Sequence, residues 1–383
     1  MGRNHFISLV LAAASWSCSA YQLAPLGSSF EAQLTEEWPG RVTMIAGQAG
    51  VLLKEPVHEE ITQLAFGCPL QPGELGTETR CAGADKGFAN HFVIYGVRWN
   101  DLPPFRLEAS EGAKCKKLFI LSTPACKTNE TIRLSTQPDC WYCIFKQGQE
   151  LAARAKITGC ARGTEYVRGN LLTRSHFGDL QFLHSMANED GVTAEATRQK
   201  VVEWLEFAWR VSIRELRADV RLRDVKISVI QEHFSCSEWT VADLYVLGRQ
   251  NAMLPHLHQV AFGSILHSVQ DSFAAGHTER ETMARSEACP GADYPAPGRV
   301  VEFHSYARQD GHAHDGQDKR EAMVVAGGSD WPHAIAASRH LMRLHDSRTA
   351  WSEAKPFIDC LFELAPEARP SSPGERFIKS ASH

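Results

Sequence analysis

The 383-residue sequence lacks the features that mark a membrane-spanning or nucleic-acid-binding protein. After its first 20 residues it has no apolar run of the length, about 20 residues, that a membrane-spanning helix needs. It also lacks a basic excess, because 40 Lys and Arg stand against 45 Asp and Glu. This balance argues against a module built to bind nucleic acid, although an enzyme that cuts nucleic acid is compatible with it. No internal repeat or low-complexity tract is present, and 43% hydrophobic residues suffice for a globular core.

The N-terminal residues have the order of regions that is typical of an export signal. Arg3 gives a positive start, residues 6–14 are a short apolar run, and small residues follow as far as Ala20. A secretory signal peptide has this organisation, whereas a buried N-terminal helix is the alternative. We therefore predict a signal peptide at 1–20 and a secreted or periplasmic protein.

Ten of the eleven cysteines follow the predicted signal, and an even number in an exported chain favours disulfides. Cys68 and Cys81 flank a turn-rich stretch and are candidates for one bridge. Cys140 and Cys143 have the C-x-x-C spacing of a redox or zinc site, but the sequence has no second C-x-x-C pair. We favour structural disulfides over a redox or zinc site.

Helical periodicity lies on both sides of a cysteine-rich segment. Apolar residues recur at helical spacing in 56–67, 194–222 and 239–275, with Thr240 as a candidate N-cap. Residues 102–165 hold five cysteines with many Thr, Lys and Pro, which predicts a disulfide-stapled insertion. We predict a mainly α multi-helix bundle, divided into an N-terminal part at 21–101, the insertion at 102–165, a main helical part at 166–369 and a flexible tail at 370–383.

The strongest chemical pattern is His267-x-x-x-Asp271 followed by His277. A histidine and an aspartate four residues apart lie on one face of a helix, so both side chains can reach one cation. His277 follows Gly276, where the chain can turn back towards a second ion. Imidazole and carboxylate ligands together suit zinc.

Other segments repeat parts of this pattern. His314 and Asp318 are again four residues apart. The same segment offers alternative ligands, and a polar loop is the alternative for the whole segment. The alternative ligands are His304, Asp310, His312 and Asp315. His176 and His184 are alternatives to each other as ligands, and either could be an ordinary histidine.

Two isolated residues complete the candidate set. His58 opens an amphipathic helix that has acidic residues in its first turn. Asp101 precedes Pro103 and Pro104, which end regular structure, so its carboxylate lies at an abrupt turn. Such an aspartate can orient or deprotonate a water molecule, or it can cap the turn.

The order of these residues resembles the zinc-dependent phospholipase C and P1/S1 nuclease superfamily, and most closely the bacterial zinc phospholipase C group of pseudomonads and legionellae. The resemblance covers 56–104 and 166–320. It implies a helical phospholipase C/P1 nuclease-like bundle with three zinc ions in a cleft. It also implies that His267, Asp271 and His176 hold a first zinc and that Asp271 bridges to a second held by His58. The third zinc would lie on His277, His314 and Asp318, with Asp101 as general base or as the residue that positions the attacking water.

The sequence departs from this family in three places, one of which is an insertion between Asp101 and His176 that is larger than in the simplest members. The N-terminal tryptophan that binds zinc in the family has no counterpart at the right distance, since Trp16 and Trp38 are the nearby candidates. Asp318 is the carboxylate more typical of the nuclease branch.

We expect a zinc phospholipase C that cleaves phosphatidylcholine-type phospholipids at a membrane surface to diacylglycerol and a phosphorylated head group, with no stable nucleic-acid complex. The alternatives are a P1/S1-like nuclease on single strands, a zinc-binding protein without catalysis, and a disulfide-stabilised helical protein without metal.

Overall fold

A computed structural model of the chain describes residues 56–68, 89–107, 115, 126, 130–152, 155–159, 170–247, 250–310, 313–314, 316–317, 319 and 333–378. The predicted signal peptide at 1–20, the predicted bridge partner Cys81 and the predicted ligand Asp318 lie outside the described residues.

The described part of the chain is mainly helical, as predicted. The α-helices are α1 (Val57–Ala65), α2 (His91–Trp99), α3 (Pro138–Ala152), α4 (Leu171–Phe177), α5 (Ala194–Ser212), α6 (Ser228–Phe234), α7 (Val241–Val246), α8 (Gln250–Met253), α9 (Leu257–Asp271), α10 (His333–Asp346) and α11 (Trp351–Leu361). Short 3₁₀ turns lie at Gln181–His184, Leu222–Asp224, Leu254–His256, Tyr306–Arg308 and Glu375–Phe377. Two antiparallel pairs complete the elements, β1 (Phe105–Arg106) with β2 (Thr131–Ile132) and β3 (Thr278–Arg280) with β4 (Val300–Phe303).

Local sequence signals account for the start of α7 but not for the end of α5. Thr240 and Asp243 form a reciprocal capping box at α7, as its N-cap position predicts. The helical periodicity predicted over 194–222 ends at Ser212 in the structure. Arg214 has a φ of 69°, and this left-handed conformation, which cannot continue an α-helix, follows the end of α5.

The centre of the fold is the close crossing of α2 and α9. A Cβ atom on Gly96 would lie 2.2 Å from the carbonyl oxygen of Val260, and one on Gly263 would lie 2.2 Å from that of Val93. Only glycine at both positions allows the two backbones to approach this closely. The crossing brings the end of α2, with Asp101 just beyond it, against the His267 face of α9.

The cysteine-rich segment is stapled by disulfides, as predicted, and packs against the main core. Cys115 bonds to Cys143 and Cys126 to Cys140, so the two C-x-x-C cysteines pair with other residues and not with each other. Buried side chains of α3 belong to the same apolar cluster as α5 and α9.

The third described bridge joins Cys289 to Cys360. These disulfides are compatible with an extracellular protein. No helix in the described ranges has the length and apolar character to cross a bilayer.

The C-terminal residues as far as 378 differ from the prediction of a flexible tail at 370–383. Ser371 donates a hydrogen bond to the carbonyl oxygen of Glu189, and the amide of Asp310 donates to the carbonyl oxygen of Phe377. The Phe377 side chain is buried against the rings of His304 and His314. This segment therefore forms one wall of the histidine-rich region described below.

Candidate metal centre

Six separate segments bring histidine and aspartate side chains into one buried cluster. The contributing positions are the first turn of α1, the second residue after α2, the end of α4, the 3₁₀ turn after α4, the last two turns of α9 with the loop that follows, and a short turn near residue 314. The side chains are His58, Asp101, His176, His184, His267, Asp271, His277 and His314, and each is at most 2% exposed. The structure thus brings together all the described members of the predicted site.

The Asp271 carboxylate lies at the middle of this cluster. Its Oδ2 is 2.9 Å from Nε2 of His267 and 3.0 Å from Nδ1 of His184. Its Oδ1 is 3.2 Å from Nε2 of His58, and Nδ1 of His277 is 3.7 Å from Oδ2. The four-residue spacing along α9 produces the first contact, and tertiary packing produces the other three.

Asp101 faces the same nitrogens from the other side. Its carboxylate oxygens lie 3.8 Å from Nδ1 of His184 and 3.9 Å from Nε2 of His267. Although Asp101 is buried, neither oxygen has a hydrogen-bond partner among the described residues. A buried carboxylate that no donor satisfies is costly, which points to a cation as its partner.

The neighbouring residue, Asn100, fixes the position of Asp101. Its side-chain amide donates to the carbonyl oxygen of Leu183 at 2.7 Å and to Oγ of Ser268 at 3.1 Å. Its Oδ1 accepts from Oγ of Ser264 at 2.7 Å. One amide therefore joins the end of α2, helix α9 and the turn that carries His184.

Four of the imidazoles are oriented in the same way, each by Nδ1 contacting an oxygen. The pairs are His58 with Oε1 of Gln270 at 2.6 Å, His267 with the Val97 carbonyl at 2.6 Å, His277 with the His184 carbonyl at 2.7 Å, and His314 with Oε1 of Gln309 at 2.6 Å. An oxygen acceptor requires Nδ1 to carry the proton, so Nε2 of the neutral ring has the lone pair. Metal-binding histidines are oriented by such contacts to carbonyl oxygens.

The His267–Asp271 contact is one place in the cluster where a cation would fit. Burial lowers the pKa of His267 to about 4. Its Nε2 lies 2.9 Å from Oδ2 of Asp271, and a proton or a metal ion between these two atoms would satisfy both.

Burial and the opposing charges shift the acids and bases of the cluster in different directions. Burial and the nearby Asp271 carboxylate raise the pKa of Asp101 well above its ordinary value. Burial alone would also raise the pKa of Asp271, but the imidazoles of His267, His277 and His58 hold it well below that value. Burial lowers the pKa of His184 to about 4.

Two overlapping groups of side chains have metal-ligand spacing. Ligand atoms of His58, His267 and Asp271 lie within 4.8 Å of one another, as do those of Asp101, His184 and His267. Tetrahedral zinc with bonds of about 2.0–2.1 Å places its ligand atoms roughly 3.3 Å apart. The imidazole nitrogens of His58, His184 and His267 lie 2.9–3.2 Å from the Asp271 oxygens, close to this value, whereas those nearest Asp101 lie 3.8 and 3.9 Å away. The atoms around Asp271 therefore have a spacing that zinc could use.

A third group with this spacing is Glu279, Glu302 and His304. Arg369 already lies between its carboxylates, with Nη2 at 2.6 Å from Glu279 and 3.2 Å from Glu302. His304, an alternative to His314 in the sequence, therefore lies beside an ion pair and not in the central cluster.

The structure distinguishes the two histidines that follow α3. Nε2 of His176, the residue predicted as ligand, donates to the backbone carbonyl of Asp101 at 2.6 Å. Nδ1 of His184 instead faces both Asp271 and Asp101. His184 thus lies next to Asp271, where the resemblance would place His176. His176 instead holds the backbone of Asp101 through its carbonyl oxygen.

His277 and His314 form the second half of the cluster, with ring centroids 4.9 Å apart. A Cβ atom on Gly276 would lie 2.8 Å from Nδ1 of His314, so glycine makes this approach possible. The sequence pattern missed Gln309 and Gln270, the two glutamines that orient His314 and His58. Gln270 lies 212 residues from His58, and Gln309 lies five residues from His314 in a segment without helical periodicity.

An outer ion pair fixes the turn between His176 and His184. Asp179 accepts from Nε and Nη2 of Arg174 at 2.8 and 2.9 Å, and from Nδ1 of His233 at 2.8 Å. The amide of Gly159 also donates to it, at 3.1 Å. Burial alone would raise the pKa of Asp179, but these donors hold it well below its ordinary value.

No protein-family model, curated protein or solved structure matches the chain.

Proposed function

We propose that this protein is a secreted zinc-dependent phosphodiester hydrolase, and specifically a phospholipase C that cleaves phosphatidylcholine-type phospholipids. The observation that carries the proposal is the buried arrangement in which Asp101 and Asp271 face the nitrogens of His184 and His267 from two sides. The resemblance of the motif order to the zinc phospholipase C group supplies the reaction class.

We assign the zinc ligands from this geometry. His184, His267 and Asp271 would hold one ion beside Asp101, and His58 with Asp271 would hold a second. His277 and His314 would hold a third, with Asp318 as the carboxylate that the sequence spacing offers. Bound zinc lowers the pKa of water and neutralises charge on a phosphate diester.

The chain itself supplies orientation and proton handling. Asn100 and His176 hold the backbone of Asp101 on both sides, so its carboxylate is directed into the centre. We assign Asp101 to orient the attacking water and to accept its proton. Gln270 and Gln309 keep the imidazole Nε2 atoms facing inward, which maintains the metal site between turnovers.

The test is phosphodiester hydrolysis by the purified mature protein, with phosphatidylcholine vesicles and single-stranded DNA assayed in parallel, with and without a zinc chelator. We expect release of phosphocholine that the chelator abolishes. Nucleotide release without lipid turnover would replace the phospholipase assignment by the nuclease one. Bound zinc with no turnover of either substrate would contradict both.

Asp101→Asn tests the assigned role within the same assay. Asparagine keeps one oxygen and the proposed zinc ligands remain, so we expect zinc content close to that of the wild type. We expect turnover to fall by about 100-fold or more, the scale of general-base catalysis. Asp293→Asn is the matched control, because its side chain is 77% exposed and its ion-pair partner is Arg343.

A further inference from the structure

A cavity of about 260 Å³ lies between the end of α3 and the turn after α4. Its walls come from Ala152 of the cysteine-rich segment, from Ile157, and from Phe177 and Gln181 around that turn, with Tyr306 opposite. It is slightly smaller than the 300–1,000 Å³ of typical ligand sites, so it suits one part of a larger molecule.

The cavity shares walls with the candidate metal centre. Phe177 follows His176 in α4, and Gln181 begins the 3₁₀ turn that ends at His184. The Tyr306 ring meets the His314 ring edge-on, with centroids 5.7 Å apart. These shared elements place the cavity beside the candidate metal centre.

The charged residues of the cavity wall are all paired with opposite charge. Lys156 forms an ion pair with Glu189. Asp179 is held by Arg174 and His233. No cation of the described wall is left to bind an anionic group, so the phosphate belongs on the metal centre and the neutral part of the molecule belongs in the cavity.

Two amides of the wall offer hydrogen bonds. Gln181 is 2% exposed, and its Nε2 donates to the Ser175 carbonyl, whereas its Oε1 has no partner in the described part of the chain. Gln149 uses Oε1 to accept from Lys146, and its Nε2 has no described partner. One acceptor and one donor between apolar walls match a hydroxyl and an ester carbonyl.

The aromatic side chains of the wall are unsuited to a nucleobase. A base binds by stacking on the flat face of a ring. The Phe177 and Tyr306 rings are tilted by 50° with centroids 6.4 Å apart, so they contact each other and leave no parallel slot between them.

We propose that this cavity binds the neutral glyceride part of the lipid substrate, with the acyl ester near Gln149 and the alcohol released by cleavage near Gln181. The proposal rests on the function proposed above, since it names the part of that substrate that lies beside the metal centre. It also assigns a binding role to α3 of the cysteine-rich segment.

The experiment measures binding of dihexanoylglycerol to the zinc-loaded protein by titration calorimetry, which needs no turnover. Ala152→Phe places an aromatic ring at the cavity wall, and we expect at least a tenfold loss of affinity. Ala196→Phe is the matched control, since both alanines are exposed on helices and Ala196 lies on α5. We expect the control to bind as the wild type does, with equal zinc content in all three proteins.

A second variant keeps the test decisive if Ala152→Phe does not fold. Gln149→Leu preserves side-chain size but removes the donor, and we expect a severalfold loss of dihexanoylglycerol affinity. Absence of binding to the wild type, or equal affinity in the cavity variants, would overturn the proposal. Binding of adenosine that Ala152→Phe abolishes, without binding of the glyceride, would also overturn it.

The result can be separated from the outcome for the proposed function. Chelator-sensitive phosphocholine release with unchanged glyceride binding in the variants would contradict the cavity assignment alone. Cavity-dependent glyceride binding without phosphodiester hydrolysis would contradict the catalytic assignment and retain the lipid-binding site.

Discussion

Asp179→Asn tests whether the outer ion pair supports the fold and the candidate metal centre. The carboxylate accepts four hydrogen bonds, one at Oδ1 from Nε of Arg174 and three at Oδ2 from Arg174, His233 and Gly159. Asparagine keeps the first acceptor and places an NH₂ group against the other three donors. Because a hydrogen bond contributes about 1–1.5 kcal/mol net, three lost bonds correspond to about 3–4.5 kcal/mol. This agrees with about 3–5 kcal/mol for breaking a buried ion pair.

The assay is urea unfolding of the oxidised protein at pH 7, with the free energy of unfolding obtained by linear extrapolation. Asp219→Asn is the control, because it removes the partner of Arg217 in an exposed ion pair, and we expect its unfolding midpoint to remain at the wild-type value. Wild-type stability for Asp179→Asn would refute the assignment of Asp179 as a structural anchor.

The pH dependence gives an independent check on the same residue. The donors hold the pKa of Asp179 below its ordinary value, so its contribution to stability is fully present above about pH 4, the pKa of an unfolded aspartate. The contribution is lost as the pH falls towards the folded-state pKa. We expect the stability difference between wild type and Asp179→Asn to be constant from pH 7 to about pH 5 and to shrink below pH 4. A difference that grows on acidification would contradict this sign.

Three further predictions concern the helix crossing and the metal site. Gly263→Ala should destabilise the protein by about 1–3 kcal/mol or more in urea unfolding, because its Cβ atom would meet the Val93 carbonyl. Ala196→Gly, at an exposed position of α5, should cost no more than about 1 kcal/mol. Gln309→Leu should lower zinc affinity by about 10–100-fold in a competition titration with a chelator, because Nδ1 of His314 then loses its hydrogen-bond acceptor. Unchanged affinity would show that Gln309 does not support the zinc site. Zinc removal should lower the melting temperature measured by circular dichroism, because Asp101 and Asp271 would then lose the positive charge beside them. An unchanged melting temperature would contradict a buried metal centre.

The sequence predicts those parts of the site that depend on local geometry. His267 and Asp271 meet because residues four apart share a helix face, and the structure has them 2.9 Å apart. Thr240 begins a helix because its hydroxyl caps the first turn. Cysteine number and spacing likewise predict structural disulfides in the inserted segment.

The remaining features depend on contacts between distant segments. His176 and His184 are equivalent by spacing alone, and the choice between them depends on a 3₁₀ turn held by Asp179. Gln270 and Gln309 act through hydrogen bonds to histidines, which no periodicity reveals. The tail after residue 370 is rich in Ser and Pro, yet Phe377 is buried, because one aromatic side chain anchors it beside His314.

The most direct test of the account is to locate zinc in crystals of the purified protein by anomalous diffraction at the zinc absorption edge. We expect a peak between Asp101, His184, His267 and Asp271, with zinc also present in elemental analysis of the dissolved crystals. Zinc-loaded crystals that show no peak at these side chains, or a peak only at surface residues, would contradict the claim that this cluster is a metal centre.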